Sequence, residues 1–234
     1  MDPNDSSQRD QSGQPSTCDM HHEYATQDGS LDMGCSDFEL LKRALLNERM
    51  APEILQYKEE LVERVKAGLK RQETEIDAME GQRDYELVRQ VLSYEQDRVR
   101  FLLKAYLRAR LEKIEQSAGS MLDTEALRER LSKQERSYAS SFFVAMGRYM
   151  KSSVLNDLPP NYQSLVKRYE GEPEKRLLDT PDEAKYVFAR VLDDCGQVPD
   201  GPDGQTAELR RGDTMAIKYT TVKALVEAGQ VCLL

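Results

Sequence analysis

The 234-residue chain holds two histidines, His21 and His22, and both lie within its first 35 residues. A Ser-His-Asp or Cys-His constellation needs an imidazole that can reach a nucleophile, and a pair confined to a polar tail excludes that chemistry. Two adjacent histidines with no spaced third ligand read as tail residues and not as a metal site. Neither G-x-x-x-x-G-K nor G-x-G-x-x-G occurs, so no glycine loop cradles a phosphate. Asp200-Gly-Pro-Asp203-Gly lacks the alternating acidic ligands and closing Glu of a calcium loop, and reads as a turn. Asp193-Asp194 reads as a solvated turn, and Glu59-Glu60 as surface charge beside helical Lys and Arg. The four cysteines, Cys18, Cys35, Cys195 and Cys232, show no CxxC or Cys/His spacing. Reduced thiols are the expectation, with no cofactor and no metal.

Charge offers more than nucleophiles do. Arg98, Arg100, Lys104, Arg108 and Arg110 crowd one stretch, but on a helical wheel they scatter around most of the circumference, interleaved with Glu95, Asp97, Glu112 and Glu115. A nucleic-acid stripe would put the cations on one face, so these read as ion pairs along a helix with a few interface contacts. Glu95 and Arg110 differ because both project within an apolar face. Burying either without a partner would cost several kcal/mol. Each is therefore expected to pair across helices and fix register.

The element that must position them is one long helix, predicted from about Asp84 to Glu115 and about 48 Å long at 1.5 Å per residue. Val88, Val91, Leu92, Val99, Leu102, Leu103 and Tyr106 form its broad face. Leu87, Tyr94, Phe101 and Ala105 fall on nearly the opposite side. A helix on the outside of a monomer has no reason to carry Tyr94 and Phe101 away from its core. One side packs in its own domain and the other against a neighbouring helix or another chain.

Around this helix the pattern is mainly α, an elongated four-helix domain followed by a small β-rich domain. Residues 1–35 carry seven acidic side chains and one Arg and almost no aliphatics, and read as a disordered acidic tail. Residues 36–157 form the helical domain. Ser36 or Asp37 caps a first helix, and Ala51-Pro52 interrupts it. A second helix carries Ile54, Leu55, Leu61, Val62, Val65 and Leu69 toward Gly81. SAGSM ends the third helix, and a fourth runs from about Asp123-Thr124 to Asn156, with Tyr138, Phe142, Ala145 and Tyr149 on one side. Pro159-Pro160 stops it, and 158–180 is a linker. In residues 181–234, YVFARV and MAIKY have strand composition, with an irregular loop between them. Thr220 or Thr221 caps a short helix that ends at Gly229 in the C′ role, and VCLL is a last strand. An apolar terminus on so small a module argues that it docks, on its own helical domain or on a partner subunit; the partner is the favoured surface.

The net charge is −9, but residues 36–170 sum to only +1, which gives no basic field for gripping nucleic acid. The first residues lack the basic flank and apolar core of a signal peptide, and no apolar run approaches the roughly 20 residues that span a bilayer. The expectation is a soluble protein of the cytosol or nucleus with no membrane association.

Four stretches carry a family resemblance: LLNERMAPEIL, YEQDRVRFLLKAYLRARLEKIE, YMKSSVLNDLPPN and IKYTTVKALVEAGQVCLL, in that order over about residues 36–234. The chain resembles the subunits of the GINS complex, a eukaryotic replication factor, and among them the Sld-five type. The resemblance implies a non-enzymatic nuclear subunit with a helical A domain and a β-rich B domain. It implies a heterotetramer with the Psf-one, Psf-two and Psf-three types, which joins the MCM helicase ring and its cell-division-cycle partner in the replicative helicase. It also implies a replisome adaptor trimer recruited through the N-terminal segment, where LDMGCSDFELL has the ingredients. Carried over to this chain, the structural and interface set is Tyr94, Arg98, Phe101, Tyr106, Leu107, Arg108, Arg110, Leu111 and Ile114. The B-domain docking set is Val231, Cys232, Leu233 and Leu234. The other readings are a self-associating helical adaptor unrelated to replication, and a helical nucleic-acid-binding protein, which the near-neutral core disfavours.

Overall fold

A computed structural model describes residues 36–159, 163, 181–199 and 206–234. The tail with His21 and His22, most of the linker, and Asp200 and Asp203 lie outside the described residues.

The helical part begins with α1 (Asp37–Met50), whose first turn is capped by the Ser36 hydroxyl accepting the Glu39 N–H at 3.4 Å. Pro52 holds Ala51 extended (φ −65°, ψ 135°) and ends it. The chain then stays non-helical to Lys58, and α2 (Glu59–Ala78) starts only afterwards. Ile54 and Leu55 were expected on that helix, but they sit on the extended connector because its side chains are claimed by different cores. Ala51 packs with the C-terminal strands, and Ile54 with α3 and α5.

After Gly81, in the left-handed region at φ 81°, a turn at Arg83–Tyr85 leads into α3 (Glu86–Asp123). SAGSM does not end this helix. Ser117 departs from helical geometry (φ −130°, ψ 27°), and the Ser117 and Ser120 hydroxyls donate to the Lys113 and Ser117 carbonyls at 3.1 and 3.0 Å. The kink keeps its backbone oxygens satisfied, and burial of Ala118, Ser120 and Met121 carries the helix onward. The expected fourth helix is two: α4 (Glu125–Glu129) and α5 (Lys133–Ser153). Ser132 and Glu135 form a reciprocal capping box that starts α5 afresh.

The C-terminal part is β1 (Tyr186–Val191), β2 (Gly196–Pro199), β3 (Thr206–Leu209), β4 (Thr214–Lys218), α6 (Tyr219–Glu227) and β5 (Val231–Leu233). β1 is the central strand of an antiparallel sheet ordered β4-β1-β5. What read as an irregular loop contains the β2–β3 hairpin, with Gly196 opposite Leu209 and Pro199 opposite Thr206. Neither Thr220 nor Thr221 caps α6; Lys218 occupies the cap position without a side-chain bond. Gly229 (φ 76°) does close it, in a Schellman motif: Gly229 N–H donates to Val226 and Gln230 N–H to Leu225.

Three clusters form the core. Leu41, Leu45, Leu61, Val62, Val65, Leu103 and Tyr106 join α1, α2 and α3. Ile54, Ile114, Met121, Leu131 and Ala139 join the connector, α3 and α5. Val187, Ala189, Ile217, Tyr219, Val222, Val226, Val231 and Leu233 form the C-terminal core, and Ala51 enters it from the connector. The apolar terminus therefore docks within its own chain. β5 pairs with β1, and the Leu233 N–H donates to Asn47 Oδ1 on α1 at 2.8 Å. The favoured partner surface gives way to α1, because Asn47 satisfies the outer edge of a strand only three residues long.

Candidate subunit interface

Apolar side chains cover α3 on two sides, as its sequence requires, but the chain covers only part of them. The first α3 residue to join the apolar core is Val99, and before it only Gln96 is buried, its amide donating to the Leu69 carbonyl of α2 at 3.1 Å. Before it, Val88 and Val91 are exposed although they share the face of Val99 and Leu103, since the core of α1, α2 and α3 stops short of them. On the other side Leu87, Tyr94 (74% exposed) and Phe101 (70%) face solvent. Leu87, Tyr94 and Phe101 are seven residues apart, with Val91 and Arg98 between them and Ala105 four residues on, which is the spacing of a seam that packs lengthwise against another helix. α5 has a second stripe in Tyr138, Met146 and Tyr149, all exposed. A third lies on the outer face of β1, where Tyr186 and Phe188 alternate with buried Val187, Ala189 and Val191. Patches of this kind mark protein contacts. Each large side chain gains about 1.5–3 kcal/mol when fully covered.

Beyond Leu103 the helix inverts this arrangement. Arg110 is wholly buried (0% exposed). Its Nε and one terminal nitrogen donate to Glu135 at 2.7 and 3.1 Å, a bidentate pair. Its other terminal nitrogen donates to Glu48 at 3.0 Å and to the Leu55 carbonyl at 2.7 Å. The Tyr57 and Tyr106 rings lie 5.2 and 5.9 Å from the guanidinium carbon. Burial opposes the cation, but Glu135 and Glu48 outweigh it and raise the Arg110 pKa further. Burial pushes the Tyr106 hydroxyl up to about 12, with Arg110 pulling the other way. Lys113 donates to Glu48 at 3.0 Å and to the Glu53 carbonyl at 2.7 Å; burial draws its pKa down despite Glu48. One guanidinium thus joins α1, the connector, α3 and α5, as expected of a register-fixing pair. Glu95 does not do this. It is exposed and pairs with Arg98 on the same helix at 3.4 Å, while the contacts of this stretch with α2 are made by its neighbours Gln96, which donates to the Leu69 carbonyl at 3.1 Å, and Arg100, which pairs with Glu73 at 2.9 Å.

The thirteen residues of the expected interface divide accordingly. Tyr94, Arg98, Phe101 and Arg108 are exposed, and Leu107 and Leu111 are half-buried. Tyr106, Arg110 and Ile114 are buried in the bundle, and Val231, Cys232 and Leu233 in the C-terminal core. These six are satisfied inside the chain and offer no surface; Leu234 remains exposed. The sequence reading missed Glu48, Glu53, Tyr57, Lys113, Arg130 and Glu135 around the buried charge. Ser132-x-x-Glu135 was a legible signal for one of them. It also took Tyr186 and Phe188 for strand composition and passed over their placement on one face.

The buried carboxylates are saturated by cations, an arrangement suited to holding helices and not to moving protons. Among the described residues no group of three or more His, Cys, Asp or Glu could hold a metal, and no helix is long and apolar enough to cross a membrane.

Comparison with known proteins agrees with the resemblance read from the sequence. Residues 56–154 match the family model described as the GINS complex protein helical bundle domain. Residues 181–234 match that of the DNA replication complex GINS protein SLD5 C-terminus. The DNA replication complex GINS protein SLD5 of Arabidopsis thaliana is 37% identical over 205 residues, covering 86% of this chain and 93% of the relative. The proteins of the same name in Chaetomium globosum and Homo sapiens are 34% and 32% identical; they cover 82% and 84% of this chain, and in each case 88% of the relative is matched.

Proposed function

Because this chain belongs to the Sld5 family of GINS proteins, we propose that it serves DNA replication as a structural, non-enzymatic subunit of a GINS heterotetramer in the nucleus. Its sisters are of the Psf-one, Psf-two and Psf-three types, and the assembly joins the MCM ring and its cell-division-cycle partner. The observation that carries this reading is the exposed seam of α3. Tyr94 and Phe101 are solvated on a helix whose other side already fills a core, so the missing cover comes from another chain. The stripes on α5 and β1 extend the same logic to further sister contacts. Recruitment of an adaptor trimer belongs to the residues before Ser36, because Phe38, Leu40 and Leu41 are part of α1 and Leu41 is buried.

The test is co-expression with the three sister subunits, followed by size-exclusion chromatography with light scattering. A single 1:1:1:1 peak is expected, and Phe101→Ser is expected to remove this chain from it. Elution as a stable homo-oligomer apart from the sisters would overturn the reading in favour of a self-associating adaptor.

A further inference from the structure

The connector between α1 and α2 belongs to neither core alone. Ala51 enters the C-terminal cluster and Leu55 packs against it, while Ile54 sits with α3 and α5. Between them Glu53 is buried to 1% exposure. Its carboxylate accepts the Tyr219 hydroxyl at 2.9 Å and the Lys223 ammonium at 2.8 Å, both from α6. From the α4–α5 corner it pairs with Arg130 at 3.1 Å. Arg130 in turn donates to the Ile54 carbonyl at 3.0 Å and pairs with Glu227, near the end of α6, at 3.1 Å. Every charged group at this junction spans from the helical side to the C-terminal side or holds one that does.

The apolar part of the same junction is small. The C-terminal core draws Ala51 alone from the helical side among its buried members. The module's own strands and α6 supply nearly all of its core, so charged and polar contacts make up most of what joins it to the bundle.

We infer that Glu53 is a latch: its carboxylate fastens the C-terminal sheet to the helical bundle in one orientation, and loss of its charge frees the sheet as an intact body. The latch also fixes the direction in which the aromatic face of Tyr186 and Phe188 points, since β1 moves with the sheet.

Hydrogen–deuterium exchange on the full-length chain tests this. Glu53→Gln keeps the side-chain shape and removes the charge. The expected result is exchange at least tenfold faster at residues 47–58 and at the Leu233 amide, which donates to Asn47, with the β1–β4 and β1–β5 ladders and residues 103–121 of α3 within twofold of the parent. Lys223→Met, which removes a single half-buried donor, is expected to give the same pattern at smaller amplitude. Combined with Glu53→Gln it should add less than twofold, since both act through one carboxylate. The inference is overturned if junction exchange is unchanged in Lys223→Met. It is equally overturned if the β1–β4 ladder accelerates as much as the junction in either variant, because the network would then stabilise the sheet's own fold and not its attachment. Should Glu53→Gln fail to fold, Lys223→Met alone decides.

Discussion

The two halves of α3 treat polarity in opposite ways. Up to Phe101 the helix leaves Leu87, Val88, Val91, Tyr94 and Phe101 in contact with water. From Leu103 to Met121 it buries a guanidinium completely and surrounds it with two carboxylates. Apolar outside and charged inside is the reverse of what a solitary globular domain gains from. The difference separates two settings: the buried charges tie this chain's own helices to one another, and the exposed apolar seam is the surface to which the proposed assembly assigns another chain. Paired buried charge is a poor source of net stability but a strict one of register, since a slipped helix would strand an ion.

Substitutions on the two halves should therefore differ in kind. Arg110→Met leaves Glu135 buried without its cation and Glu48 with Lys113 alone, and is expected to cost about 3–5 kcal/mol, read as a lowered Tm and denaturant midpoint. Phe101→Ser should leave the melting of the isolated chain within about 0.5 kcal/mol and still abolish incorporation into the assembly, read by chromatography. If Arg110→Met melts like the parent, or Phe101→Ser unfolds the chain, the contrast fails.

A smaller effect comes from acid. Burial would raise the Glu53 carboxyl, but Lys223, Arg130 and Tyr219 outweigh it and hold it below its ordinary 4.5, with the Lys113 ammonium bound to the carbonyl of the same residue. A depressed carboxylate contributes stability that is complete above its unfolded value and lost as pH falls through the folded one. The parent is thus expected to loosen at the junction below about pH 4.5 while Glu53→Gln shows no such acid step, read by exchange against pH. Gly229→Ala should cost about 1 kcal/mol by placing a Cβ at φ 76°, read by thermal melting. Least of all, Glu95→Gln should change the melting midpoint by less than about 0.5 kcal/mol, because its pair with Arg98 is half exposed and local.

Local signals were legible where one residue decides one thing. Ser36 caps α1, Pro52 stops it, Gly229 closes α6, and the apolar alternation of YVFARV places β1. The α3 face was legible as far as Val99 and misleading before it, because a wheel shows which residues share a side but not where the neighbouring helices end. The connector was hidden because Ile54 and Leu55 fit a helical period, and only their claims by separate cores hold the chain extended. The β2–β3 hairpin was hidden by its short strands among turn residues. Arg110 was recognisable as anomalous, but its partners lie 25 and 62 residues away and carry no local mark beyond the capping box at Ser132. The terminal strand misled in another way: its apolarity announced docking, and its small module made a partner the favoured surface, whereas Asn47 of α1 supplies it.

Glu135 has a double role that bears on the order in which the chain folds. The same carboxylate closes the capping box on Ser132 at 2.8 Å and grips Arg110. The turn that starts α5 and the contact that docks it on α3 therefore form together, across a loop of 25 residues, against 62 for the contact from Glu48. Closing the shorter loop costs about 0.8 kcal/mol less in chain entropy. The α3–α5 hairpin is thus favoured to set first, with Arg110 already half neutralised, and α1 closes over it as the last wall around the charge.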